Sequence, residues 1–141
     1  MRVAVVAVGK LRDAGLEALC DDYQRRLRPF MPVEVVELRD LAVLRERLRR
    51  PGSHVLLDER GEQVSSPELA AWIAAWRRDG ARDLSFYIGD ADGFDDGDRR
   101  TADRLLALSR LTLPHRLARL LLLEQLYRAA TLLAGHPYHH A

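Results

Sequence analysis

Cysteine, lysine and long apolar runs are nearly missing from this chain of 141 residues. The single cysteine, Cys20, excludes an internal disulfide and any metal site built on several thiolates. Its place in a leucine-containing helical pattern predicts a buried structural thiol, and the cysteine usage fits a reduced, cytoplasmic protein. No apolar stretch reaches bilayer-spanning length; Leu120–Leu123 is closed off by Arg119 and Glu124. The opening run Arg2–Val8 is too short for a signal h-region and lacks a cleavage site, so it reads as a strand. Neither Gly-x-Gly-x-x-Gly nor a Walker-type lysine occurs, which argues against the usual dinucleotide and nucleoside-triphosphate cradles. Lys10 is the only lysine among 22 basic residues, and the formal net charge is only +1. A balance of that size neither requires nor forbids a nucleic-acid partner. With 48% hydrophobic residues, the chain has enough for one buried core, so a single domain over residues 1–141 is expected.

What is present is a regular alternation of strand-like and helix-like segments. That is the signature of an α/β fold with a mostly parallel sheet flanked by helices. Strands are expected at Val3–Val8, Val33–Leu38, His54–Asp58 and Leu84–Ile88, with a short fifth at Leu108–Leu113 stopped by Pro114. Helices are expected at Asp13–Leu27 and Leu41–Arg49. A third begins at Ser66-Pro67, where serine suits a cap and proline the first turn. Two more span Asp98–Leu106 and His115–Ala134, the last closed by Gly135. That helix places Arg116, Glu124, Arg128 and Thr131 toward one side, yet Leu117, Leu120 and Leu121 lie among them. A helix apolar on more than one face needs more than one covering surface. A second subunit is the expected cover, and a central place in the monomer core is the alternative.

Ligands in open α/β sheets sit beyond the carboxyl ends of strands. Three such ends carry loop-forming residues: Leu57–Gly61, Gly89–Gly93 and Ser109–Pro114. Glycine after a strand lets backbone approach a ligand closely, although an ordinary turn explains Gly89 and Gly93 as well. Asp90, Asp92, Asp95, Asp96 and Asp98 fail the EF-hand template. Helix capping accounts for the last three, and Asp90 with Asp92 could form a magnesium phosphotransfer site. His54 reads as structural. The segment His136-Pro137-Tyr138-His139-His140 is unusual for a chain end, because imidazole exchanges protons near neutral pH. Direct acid–base or hydrogen-bonding roles fit it better than zinc, since no carboxylate follows at useful spacing.

Several stretches carry a family resemblance. They are Val6–Lys10, Leu57-Asp58 with Gly61, Ile88-Gly89 with Gly93, Leu108–His115, Glu124–Ala129 and His136–His139. In matching order over the whole chain, they resemble the ribosomal RNA large-subunit methyltransferase H family of the SPOUT superfamily. The resemblance implies a SPOUT-type α/β knot, a homodimer whose C-terminal segment is threaded into a trefoil knot. It implies S-adenosylmethionine as cofactor, no metal and no membrane. The reaction implied is methylation of N3 of a pseudouridine in the 23S RNA of assembled ribosomes. Cofactor contacts would come from Leu57, Gly89, Leu108, Ser109, Arg110, Leu111, Thr112 and Leu113. Tyr138 and His139 would be catalytic, and Arg128, His136 and His140 would meet RNA. Two positions depart from the family pattern. Asp90 stands where a second glycine is usual, and His140 where arginine or lysine is usual. Other expectations compatible with the residues are the Asp90/Asp92 phosphotransferase and a non-catalytic ribosome-binding module.

Overall fold

The computed structural model describes residues 1–140. In chain order the elements are β1 (Arg2–Val8), α1 (Ala14–Leu27), β2 (Val33–Leu38), α2 (Leu41–Leu48) and β3 (Ser53–Glu62). They continue with α3 (Ser66–Arg78), β4 (Asp83–Ile88), α4 (Asp96–Thr101), β5 (Arg104–Leu106) and α5 (His115–Ala134). All five strands are parallel, in the order β2-β1-β4-β3-β5. Alternate residues along a strand face opposite sides. Val3, Val5, Leu84, Phe86 and Ile88 therefore meet α1, α3 and α5 on one face. Ala4, Val6, Leu56 and Tyr87 meet Leu44 and Leu48 of α2, and Phe94, on the other. Burial on both faces explains why β1 and β4 are almost continuous apolar runs. The connections through α1 and α3 step one way along the sheet, and those through α2 and α4 step the other way on the opposite face. All four thus share one hand, as parallel crossovers do.

Because every strand points the same way, the helix starts gather at one edge of the sheet and the helix ends at the other. Asp13, Asp40, Ser65 and Asp95 cap α1 to α4 by accepting backbone N–H bonds at the carboxyl edge. Ser65, not Ser66, is the cap of α3, in a capping box with Glu68. The last turns carry Arg25 and Arg26, Arg45 and Arg47, Arg77 and Arg78, and Arg99 and Arg100. Each sign complements the helix dipole; Arg45 and Arg99 also pair with Asp95, Asp98, Asp58 and Asp96 around the start of α4.

The structure corrects the chain between residues 98 and 113. The fourth helix stops at Thr101, and the fifth strand is Arg104–Leu106. Leu106 lies opposite both Leu57 and Glu62, so residues 58–61 bulge out of a strand longer than the expected His54–Asp58. Asp103 N–H bonds His54 O and Ala107 N–H bonds Glu62 O, which fastens β5 at both ends. With that edge of β3 occupied, Leu108–Leu113 has no strand to pair with and forms a loop. Cys20 is buried, as expected, and burial pushes its thiol pKa up.

Asp98 joins α4 to α2 on one face of the sheet and ties that contact to pH. Burial opposes its charge, but Arg45 Nε at 2.8 Å and the Asp95 N–H at 3.0 Å outweigh it and hold its pKa below the usual carboxylate value. The stabilisation is therefore complete above about pH 4 and is lost as pH falls through the lower folded-state value, where the unfolded chain already holds the proton. The melting temperature of the wild type should fall more steeply between pH 5 and 3 than that of Asp98→Asn. Parallel profiles would contradict this assignment.

Candidate active site

The carboxyl ends of β4, β3 and β5 are neighbours, and they bring Leu57, Gly89 and Leu108–Leu113 to one crevice. The connections after β4 and β3 leave to opposite faces, which opens the crevice between them. Gly89 is buried at its floor, and a Cβ there would stand 3.2 Å from the Phe94 ring. The loop beyond it turns through Asp90, whose Oδ1 accepts from Asp92 N–H at 3.0 Å, and through Gly93 at φ +73°. Arg99 fixes this loop to the β3 bulge: Nε donates to Asp58 Oδ2 at 2.8 Å and Nη2 to Phe94 O at 2.7 Å. On the far wall, Ser109 Oγ accepts from Leu111 N–H, and Thr112 Oγ1 donates to Glu59 Oε2 at 3.4 Å. Leu111 is 76% exposed, a large apolar side chain with nothing over it.

Sequence reasoning missed Arg119. It is buried near the start of α5, donates to Glu37 Oε2 at 2.7 Å and to Gly9 O at 3.3 Å, and so fastens α5 to the ends of β2 and β1. Glu37 also accepts from Leu11 N–H. The available signal was an arginine directly preceding the run Leu120–Leu123, since a buried charge needs a partner.

The tail lies elsewhere. The Tyr138 ring packs edge-on against Tyr127 at 4.6 Å and donates to Glu124 Oε1 at 3.2 Å. Burial, then Tyr23 and Glu124, raise its pKa, so it remains a neutral phenol. Arg128 pairs with Glu124, lies over the Tyr138 ring, and donates from Nη1 to His139 Nδ1 at 3.1 Å. Guanidinium cannot accept a hydrogen bond, so Nδ1 is the acceptor and the imidazole proton sits on Nε2. His136 packs on Phe30, just before β2, and His140 is exposed.

These residues do not meet the crevice within one protomer. Helix α5 enters at the carboxyl edge, where Arg119 touches Gly9, and ends near the amino edge, where Tyr127 and His136 touch Phe30. From Arg119 to Arg128 the helix rises about 14 Å. The crevice and the histidine-bearing tail thus lie at opposite edges of the sheet.

The crevice offers backbone N–H and C=O groups, a glycine floor and leucine walls, which suit a flat nucleoside held without charged side chains. Asp90 closes its own turn, and among the described residues no three histidine, cysteine or acidic side chains converge as a metal site would require.

An all-parallel α/β sheet with this crevice is the framework of a SPOUT methyltransferase. The family model described as "Predicted SPOUT methyltransferase" matches residues 1–139. Proteins called ribosomal RNA large subunit methyltransferase H are 45% identical in Pelobacter propionicus (99% of this chain, all of that one) and 43% in Geobacter metallireducens (all of both). A probable methylase family protein of Haemophilus influenzae shares the fold at a TM-score of 0.58 and 12% identity, over 99% of this chain and 70% of its own. The chain belongs to the ribosomal RNA large subunit methyltransferase H family, a group of SPOUT methyltransferases. Its cofactor is accordingly S-adenosylmethionine.

Proposed function

We propose that the protein methylates N3 of a pseudouridine in the 23S RNA of assembled ribosomes, acting in the cytoplasm as a homodimer with a trefoil knot. The observation that carries this reading is full-length likeness to relatives named for ribosomal RNA methylation, combined with the crevice at the strand ends. When bound, the cofactor supplies a sulfonium methyl that is already electrophilic. The chain's residues then have two tasks, alignment of the nucleophile and help with its proton.

Leu57, Gly89 and Leu108–Leu113 hold the nucleoside in this reading. The base is presented by the tail of the second protomer, because each protomer's own tail is held at the opposite edge. Leu117 and Leu121, each 37% exposed and one turn apart on α5, form an uncovered row continuous with Glu124 and Arg128. A second copy packed across that row would make an isologous contact and satisfy the two-sided apolarity of the helix. His139 Nε2–H then points a donor toward a uracil carbonyl, which favours an orienting role over proton acceptance, and the N3 proton passes to solvent. Tyr138, a neutral phenol, braces the tail and stacks beside the base. His136 and His140 flank the RNA, while Arg128 acts by holding His139.

Purified ribosomes lacking the modification, incubated with the protein and labelled S-adenosylmethionine, should acquire label on one pseudouridine of the large-subunit RNA, read by mass mapping. Label on another nucleotide would overturn the specificity. Cofactor binding without any transfer would instead indicate a ribosome-binding module. Failure to bind the cofactor unless magnesium is added would return attention to Asp90 and Asp92.

A further inference from the structure

The edge of the sheet opposite the crevice is a second feature with the chemistry of a binding site. Two hollows open there, of about 530 and 230 Å³. They share Arg2, Val3 and Glu34, so they form one trough across the entrances of β1 and β2. Five arginines line it (Arg2, Arg25, Arg28, Arg47 and Arg50) against three carboxylates (Asp21, Glu34 and Asp83). Asp83 is neutralised by Arg2 at 2.9 Å. Arg28, Arg47 and Arg50 make no ion pair among the described residues. Complementing helix dipoles does not account for them all, since Arg28 and Arg50 lie past the helix ends.

The narrow end of the trough is built on buried polar groups. His54 Nε2 donates to Arg50 O at 2.7 Å, so its Nδ1 accepts from the Tyr87 hydroxyl at 2.7 Å. His54, Ser85 and Tyr87 are all buried and line the hollow. The main chain that carries the Arg50 side chain is therefore anchored to the sheet. At its wide end the trough adjoins the last turn of α1, whose Tyr23 and following Phe30 pack against Tyr127 beside the tail.

We infer that this trough seats the phosphodiester backbone of the RNA strand leading to the tail. The inference rests on the proposed ribosomal RNA substrate and extends it to the surface that holds that substrate. An elongated trough with arginines at both ends fits successive phosphates, whereas a small anion needs one pocket. Arginine matches phosphate oxygens bidentately. At the opposite edge Asp95 and Asp96 are paired with Arg45, Arg60 and Arg99, but Asp90 and Asp92 are not paired among the described residues, and they disfavour a polyanion beside the crevice.

The test uses the full chain and the double variant Arg47→Gln/Arg50→Gln. Binding to large-subunit RNA is measured from low to high salt. Each lost phosphate contact lowers the slope of log affinity against log salt by about 1. The variant should thus show a slope smaller by about 2, affinity at least about tenfold weaker near 150 mM salt, and unchanged S-adenosylmethionine affinity. Methyl transfer to ribosomes should show a raised KM and an unaltered kcat. An unchanged slope and KM would overturn the inference. So would a titration in which inorganic phosphate binds in an Arg47- and Arg50-dependent way while RNA binding is unaffected, since the trough would then hold a free anion. Absence of transfer by the wild type would count against the substrate assignment, and the salt slope reads the trough independently of it.

Discussion

Removing Tyr138 to Ala141 should abolish methyl transfer and leave cofactor binding intact. The cofactor contacts assigned here, at Leu57, Gly89 and Leu108–Leu113, all lie at the carboxyl edge. Of the removed residues, Tyr138 and His139 lie along the lower half of α5, against Tyr127, Glu124 and Arg128. Loss of groups that align the reacting base costs on the order of 10²–10³-fold or more in rate. The fold should survive, because the aromatic contact given up by Tyr138 is worth about 1 kcal/mol beyond its apolar burial. Calorimetric titration of the cofactor and single-turnover transfer to ribosomes separate the two effects. Full activity in the truncated protein would remove the tail from the mechanism, and loss of cofactor binding would show that the division into two half-sites is wrong.

The second large effect concerns Gly61. An added Cβ would stand 2.6 Å from Leu105 C and 2.7 Å from both Leu105 O and Leu106 N. All three are backbone atoms, so no rotamer relieves the clash and β5 must move away from the β3 bulge. Overpacking of this kind costs about 3 kcal/mol, or roughly 10 °C in melting temperature for a chain of this size. The displacement also reaches the loop Leu108–Leu113, which follows β5 directly, so Gly61→Ala should bind S-adenosylmethionine more weakly at temperatures where it is still folded. An unchanged melting temperature and an unchanged Kd would show that the β3–β5 junction is slack and does not set the crevice wall.

The residues that sequence reasoning placed well are those whose neighbours are local or periodic. Continuous valine and alanine in β1 and the strongly apolar β4 announce strands buried on both faces, and Gly135 at φ +72° ends α5 where expected. The stretch 98–113 was misread because local pattern competes there with pairing. Three residues, Arg104–Leu106, are too few to show a period, while the alternating leucines of Leu108–Leu113 imitate a strand but line a crevice. The clamp between Arg99 and Asp58 joins positions 41 apart, and that between Arg119 and Glu37 positions 82 apart. Neither distance is visible to a spacing argument. The tail was legible as chemistry, through three histidines and a tyrosine in the five residues 136–140, but not as a location. Its place depends on the direction in which α5 crosses the sheet, and that is set by Arg119 meeting Gly9 and Glu37 at one end and Tyr127 meeting Phe30 at the other.

The two-edge arrangement also gives each charge pattern a purpose. Acidic caps at the crevice and arginines at the amino edge follow from helix dipoles in a parallel sheet. A homodimer that sets one protomer's amino edge beside its partner's crevice would add cations where an RNA strand enters, next to Arg110 of the crevice loop.

The most direct test of this account is subunit complementation. One protein carries Gly89→Val, which fills the crevice floor against Phe94 but keeps the tail. The other lacks Tyr138 to Ala141 but keeps the crevice. Each alone should be inactive in methyl transfer to ribosomes. Dimers formed by refolding the two together should recover activity, because the intact tail of one subunit meets the intact crevice of the other. Mixed dimers as inactive as their parents, with cofactor still bound by the truncated subunit, would show that crevice and tail must belong to the same chain and would contradict the account.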